Sequence, residues 1–318
     1  MKVGDHEIDY CSVAVKEFFE VVIKKTNLIK NRNMKNTVLA SIVFLAFSLN
    51  TAGQKATFVD HKLVPDHSVE SKINKRSYEL YVSLPKGYSA KDSLLYPVLY
   101  YLDGALLYYT FHGTRIVLDL DREIEKVIIV GIGSSETEIR SWFDNRHTDY
   151  SPSYSKETDL KYNTKTKSGG ASKFLAILKN EIIPFVDAHY KSNDNRGLVG
   201  SSLGGLFTAY CLVKEPKLFN RYGINSPALW WQDKEVLKME KSFPKQNSKL
   251  NIKVFASVGA LDPAVDMEKN MIAFCKSLRS SNYKGLEVSS KVFDGETHMS
   301  VIAAQVSRTL TSLYGVKK

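Results

Sequence analysis

The sequence predicts a doubly wound, mostly parallel α/β sheet with helices on both faces. Three observations predict it. Residues 96–102 (YPVLYYL) and 126–132 (KVIIVGI) are continuous apolar runs that stop at glycine-containing turns, as strands do when helices cover both faces of a sheet. From residue 96 onward such runs alternate with segments of helical spacing, the order that parallel strands joined by crossover helices require. Residues 77–84 (SYELYVSL) alternate polar and apolar before the Pro85-Lys86-Gly87 turn, which places antiparallel strands at the start.

The elements follow in order. Phe174, Leu175, Leu178, Ile182, Phe185 and Val186 share a helical face over residues 174–190, with Pro184 as a kink. A short strand over 196–200 leads into an apolar helix over 206–213. Strands are predicted at 222–225, 251–258 and 287–293, and a last helix at 299–313. Between residues 151 and 170 the periodicity stops (SPSYSKETDLKYNTKTKSGG). A stretch of that length reads as a lid-like loop over a site or as a solvated surface loop; it carries Lys156, Lys161, Lys165 and Lys167.

Upstream of the sheet the sequence reads differently. Residues 37–49 (TVLASIVFLAFSL) are uncharged and apolar but too short to span a bilayer. Met34 and Lys35 precede them and Thr51-Ala52-Gly53 follow, so residues 34–53 read as a signal peptide cleaved before Gln54. Residues 1–33 are then an over-extended N-terminus, the alternative being a cytoplasmic segment with an uncleaved anchor. The expected mature chain, 54–318, is a single domain in the periplasm or secreted, with no stable membrane span.

The 318 residues carry 44 Lys+Arg and 34 Asp+Glu, a formal +10. Removing the leader takes away 7 basic and 5 acidic residues and leaves +8. The basic residues are dispersed and form no nucleic-acid recognition motif, so no nucleic-acid partner is expected. A composition of 43% hydrophobic residues with 3 Cys excludes a disordered or disulfide-stapled chain. Cys211 and Cys275 lie among apolar neighbours and read as buried free thiols. No Cys or His cluster has metal-ligand spacing, and no metal or other cofactor is expected.

Gly200-Ser201-Ser202-Leu203-Gly204 fits Gly-x-Ser-x-Gly. The string alone is weak; its place between a strand and a helix strengthens it. There the nucleophile sits on a strained turn whose flanking positions must be small. Ser202 is the candidate nucleophile. A serine hydroxyl needs a base, and in this arrangement the partners follow in the order Ser, acid, His. Of seven histidines only His298 follows Ser202, between the last strand and the last helix. Ten carboxylates lie between the two. Asp262 stands at the carboxyl end of its strand, while Asp266 and Glu268 fall where the next helix begins. The backbone N–H of Leu203 is one oxyanion donor, and the turn after residues 96–102 supplies the second from Ala105 or Gly104. Arg146 is a candidate to hold a substrate oxygen, or else to shape the loop by pairing with Asp149. Trp230, after a strand, is a candidate pocket wall beside Trp231.

The strings YPVLYYLDG, VGIGSS, RHTDYSP, GGASKFLAILKNEIIPFVDAHY, VGSSLGG, INSPALWW and FDGETHMSVIAA, in this order over residues 55–315, resemble esterases related to esterase D. Within that group they are most similar to the siderophore esterases that hydrolyse enterobactin and salmochelin trilactones. The resemblance implies an α/β-hydrolase fold, hydrolysis of carboxylic esters without a metal, and Ser202, His298 and Asp262 as the site. Some of those esterases are described as Ser–His dyads, and Ala260-Leu261 stand where relatives often carry a carboxylate.

The function expected from sequence is therefore an exported serine esterase that acts on a small-molecule ester through an acyl-enzyme. Siderophore lactones or other bulky, anionic esters suit the basic charge. Alternatives are a carbohydrate acyl or feruloyl esterase, an acyltransferase, and a non-catalytic binding protein on a hydrolase fold. Oligomeric state is not legible in the sequence.

Overall fold

The computed structural model describes residues 63–91, 93–135, 138–241, 250–264, 266–281 and 283–316. The signal-peptide and N-terminal readings fall on residues 1–53, outside the described residues. Eight strands, β1 (His67–Glu70), β2 (Ser77–Ser83), β3 (Tyr96–Leu102), β4 (Ile128–Ser134), β5 (Ser192–Ser201), β6 (Arg221–Asn225), β7 (Ile252–Gly259) and β8 (Leu286–Phe293), form one sheet in the order β1-β2-β4-β3-β5-β6-β7-β8. β2 is antiparallel to β1 and β4, and every other pairing is parallel.

The apolar runs are strands because both of their faces are buried. In β3, Val98, Tyr100 and Leu102 face one core and Leu99 and Tyr101 face another; in β4, Ile128, Val130 and Ile132 oppose Ile129 in the same way. Helices α1 (Gly104–Leu120) and α9 (Ile302–Tyr314) cover the smaller core through Leu107, Phe111, Leu310 and Leu313. The larger core takes Tyr150 from α2 (Ile139–Tyr150), Phe174 from α4 (Ala171–Ile177), Val186 from α5 (Ile183–His189), Phe207 from α6 (Leu203–Lys214), Val236 from α7 (Trp231–Lys241) and Phe274 from α8 (Met267–Ser280). Each such side chain, fully buried, contributes about 1.5–3 kcal/mol.

Pro184 acts through the turn before it. It has no N–H to offer the Asn180 carbonyl, and the chain accommodates the gap with a π turn over Leu178–Ile182 in which Ile183 N–H reaches back to the Leu178 carbonyl. The helical stretch is thus bulged rather than broken. Both Cys211 and Cys275 are buried free thiols, and burial pushes the Cys275 thiol up to about 11.

The segment 151–170 differs from the unstructured loop that its composition predicts. It contains a helix, α3 (Lys156–Lys161), capped by Ser155 Oγ accepting from Thr158 N–H. Polar side chains fill its interior: Ser151, Ser155, Thr158 and Ser168 are all buried. Gly169 N–H donates to Ser151 Oγ at 2.7 Å, Ser155 N–H to Ser168 Oγ at 2.8 Å, and His147 Nε2 lies 3.0 Å from Asp159 Oδ1. Hydrophobic periodicity is blind to a segment held by hydroxyls and backbone groups. The four lysines are exposed, so the charge read from sequence sits on the outside of this excursion.

Candidate active site

In a parallel sheet the crevice for chemistry lies beyond the carboxyl ends of the strands, and the predicted residues collect there. β5 ends at Ser201 and α6 begins at Leu203; Ser202, between them, has φ 61° and ψ −119°. That left-handed backbone is strained for serine and is held from both sides. Ser202 N–H donates to the Asn225 carbonyl at 3.0 Å, and the Ser202 carbonyl accepts from Leu206 N–H at 3.0 Å and Ala228 N–H at 3.1 Å.

The glycines of the motif do not share the burden as its pattern suggests. A Cβ on Gly200 would lie 2.2 Å from the Gly204 carbonyl oxygen, and one on Gly205 would lie 2.5 Å from the Asn225 carbonyl oxygen. A Cβ on Gly204 would meet nothing closer than Leu102 at 3.5 Å, an ordinary contact. The tight positions are Gly200 and Gly205, not the second glycine of Gly-x-Ser-x-Gly. Gly200→Ala is expected to yield no soluble folded protein, whereas Gly204→Ala folds with a Tm within about 3 °C of the parent; parallel expression and melting of the two variants checks this contrast.

Two helix N-termini meet at this turn. The first N–H groups of a helix have no intrahelical acceptor, so Leu203 at the start of α6 and Gly104 and Ala105 at the start of α1 present free donors. The turns are neighbours, since a Cβ on Gly204 would lie 3.7 Å from Asp103 Oδ2. Donors on two sides of one point are what a developing oxyanion needs.

His298 and Asp262 are brought together by the two loops after β8 and β7. His298 Nδ1 lies 2.6 Å from Asp262 Oδ2, with the Asp262 side chain 2% exposed and the His298 ring 24% exposed. The other carboxylate oxygen accepts from Ala264 N–H at 3.0 Å, which fixes the carboxylate plane. Leu261 N–H bonds the Glu296 carbonyl at 2.9 Å, and a Cβ on Gly259 would collide with that same carbonyl at 2.4 Å. The bare strand end thus lets the histidine loop pass close enough for the pair to form. Asp266 instead lies 3.7 Å from Lys234 Nζ on the exterior. Ser202 Oγ makes no hydrogen bond to His298 here; such contacts commonly tighten only when substrate is bound.

Arg146 corrects the pairing considered from sequence. It does not pair with Asp149. Its Nε and Nη2 donate to the two oxygens of Asp103, each at 2.9 Å, and Nη2 also reaches the Ser201 carbonyl at 3.4 Å. The guanidinium lies over the rings of Trp142 and Tyr150 at 5.1 and 5.5 Å. Asp149 is taken by Arg76 and by the Tyr78 hydroxyl at 2.9 Å; burial pushes its carboxyl up, opposed by the Arg76 charge.

Arg146 therefore ties the turn before Gly104 to the residue before Ser202. Arg146 also lines a small adjoining pocket, whose walls include Ile132, Ser134, Trp142 and Phe174. Arg146→Met strands a 4%-exposed carboxylate and is expected to cost about 3 kcal/mol, or about 6–12 °C in Tm, read by thermal melting.

Trp230 is half-buried against the core. Its neighbour Trp231 is fully buried, and its Nε1 donates to the Ser153 carbonyl at 3.2 Å. With Gln232 Nε2 on the Tyr154 carbonyl, this fastens the 151–170 excursion to α7. Sequence reasoning missed Asp103, whose signal is an acidic residue at the end of an apolar strand, where φ 58° makes the turn.

Sheet order, the serine turn after the fifth strand and the acid–histidine pair after the seventh and eighth define a carboxylic-ester hydrolase of the α/β-hydrolase type. The chain belongs to the family described as "Putative esterase", whose model matches residues 71–309. It is 28% identical over 255 residues to the ferri-bacillibactin esterase BesA of Bacillus subtilis, covering 76% of this chain and 86% of that one. Among solved structures, the BES protein of Bacillus cereus superimposes with a TM-score of 0.71 at 29% identity, over 81% of this chain and 99% of that one. An IroE-like serine hydrolase from Shewanella oneidensis gives 0.67 at 26% identity, over 78% and 79%. Within its family the chain is thus most like siderophore esterases.

Proposed function

We propose that the protein is an exported serine esterase that opens siderophore lactones or related bulky, anionic esters. The observation that carries the chemistry is the short His298–Asp262 contact after β8 and β7, at the same carboxyl edge of the sheet as a serine held at a left-handed turn after β5. His298 Nε2 takes the Ser202 hydroxyl proton as Oγ attacks the ester carbonyl carbon. The oxyanion is received by the N–H of Leu203 and that of Ala105 or Gly104. Collapse breaks the bond to the alkoxy oxygen, which leaves as alcohol with the proton from His298. Water, losing its proton to His298, then releases the acid from Ser202. Asp262 keeps the proton of the free imidazole on Nδ1 and stabilises the imidazolium without accepting the proton.

The substrate class is supported by the relatives and by the basic excess of the chain; the fold by itself does not choose among esters. Export rests on the pattern of residues 34–53 and is tested by fractionation and by N-terminal sequencing for Gln54. The deciding experiment pairs fluorophosphonate labelling with a substrate screen. Adduct on Ser202 and turnover of a catecholate trilactone well above that of acetylated or feruloylated sugars support the proposal. The reverse preference would replace it with a carbohydrate esterase, and product transfer to added alcohols would replace it with an acyltransferase.

A further inference from the structure

Beneath the site lies a polar column that the proposed chemistry does not use. Asn225, Ser226, Ser257, Gln305 and Thr309 are each at most 3% exposed, where a polar group without a hydrogen bond is costly; of their side-chain polar atoms only Gln305 Oε1 lacks a partner among the described residues. Ser257 Oγ donates to Asn225 Oδ1 at 2.8 Å, and Asn225 Nδ2 donates to Thr309 Oγ1 at 3.2 Å. Gln305 Nε2 donates to Ser226 Oγ at 3.0 Å and to the Ser257 carbonyl at 3.4 Å.

These residues join the three segments that carry the candidate triad. Asn225 gives its carbonyl to Ser202 N–H. Ser257 lies on β7, the strand that delivers Asp262, and Gln305 and Thr309 lie on α9, the helix entered from the His298 loop. Ser226 is itself strained, with φ 36°, and its N–H reaches the Ser257 carbonyl at 2.6 Å. Strained backbone at Ser202 and Ser226 persists only where its surroundings over-determine it. Apolar packing is non-directional, whereas hydrogen bonds fix angle as well as distance.

We infer that Gln305, Thr309, Asn225, Ser226 and Ser257 are positioning residues. They set the orientation of the Ser202 turn relative to the His298–Asp262 pair. The inference rests on the reading of Ser202 as nucleophile.

Gln305→Met and Thr309→Val remove the polar groups at nearly constant volume, and Thr309→Ser restores the hydroxyl. Each apolar variant is expected to lose about 10- to 100-fold in kcat on p-nitrophenyl acetate with KM within about twofold, the scale of an ångström-sized misplacement. Fluorophosphonate labelling slows by the same factor, Thr309→Ser returns to within about threefold of the parent, and the pH–rate profile keeps its midpoint, because the acid–histidine pair is untouched. Circular dichroism establishes that each variant is folded; if Gln305→Met is not, the Val and Ser variants at 309 carry the test. Wild-type rates in the folded apolar variants, or a Thr309→Ser variant as impaired as Thr309→Val, would overturn the inference. Absence of label on Ser202 in the parent would instead overturn the esterase mechanism on which it rests.

Discussion

Ser202→Ala is expected to reduce ester turnover at least about 10⁵-fold while leaving Tm within about 2 °C of the parent. The two halves of this expectation have separate physical origins. Alanine keeps the left-handed backbone at the same strain as serine, and Ser202 Oγ makes no hydrogen bond whose loss would be felt. On the proposed mechanism all that is removed is the nucleophile, and the proposed oxyanion donors that remain act on a carbonyl with nothing to attack it. His298→Ala should lose at least about 10³-fold, since Oγ then attacks without a base. Stopped assays on p-nitrophenyl acetate with thermal melts of the same preparations give both readings. Turnover surviving in folded Ser202→Ala would remove Ser202 from the mechanism.

Legibility in the sequence followed the range of the force that shapes each element. β3 and β4 are visible because two-sided burial writes an unbroken apolar run, and the run 96–102 coincides with β3 residue for residue. β1 leaves no pattern in the sequence: of its four residues only Val69 is buried. α2 is invisible to periodicity for a different reason. Its buried residues include Asp144, His147 and Asp149, which pair with Arg140 one turn away, with Asp159 and with Arg76, so the buried face reads as polar. The serine turn is legible because its steric demands fall within six consecutive residues, although which glycines bear them was clear only from packing. The Asp103–Arg146 clamp joins residues 43 apart in the chain, so although each residue can be singled out locally, their pairing cannot. The same holds for the column under the site, whose serines and threonine look like any others until the sheet order sets β6, β7 and α9 side by side. α7 opens with three successive left-handed residues, Gln232, Asp233 and Lys234; no composition rule anticipates them, and none of the three is a glycine.

Asp262→Asn is the substitution that separates a triad from a dyad. An asparagine fits the same space, with the side chain 2% exposed, and its Oδ1 still accepts from Ala264 N–H. Holding that bond turns the amide NH₂ toward His298 Nδ1. Two donors then face each other unless the imidazole moves its proton to Nε2, where it cannot take one from Ser202. The expected loss is about 10³- to 10⁴-fold in kcat, equivalent to about 4–5.5 kcal/mol of transition-state stabilisation, with KM little changed. Asp266→Asn and Glu268→Gln should stay within about twofold, because Asp266 faces solvent beside Lys234 and Glu268 lies in the first turn of α8. If Asp262 only braced the loop, Asn would preserve that role and kcat would fall less than about tenfold, the outcome of a Ser–His dyad. A larger loss at Asp266 or Glu268 than at Asp262 would transfer the acid's role to that residue.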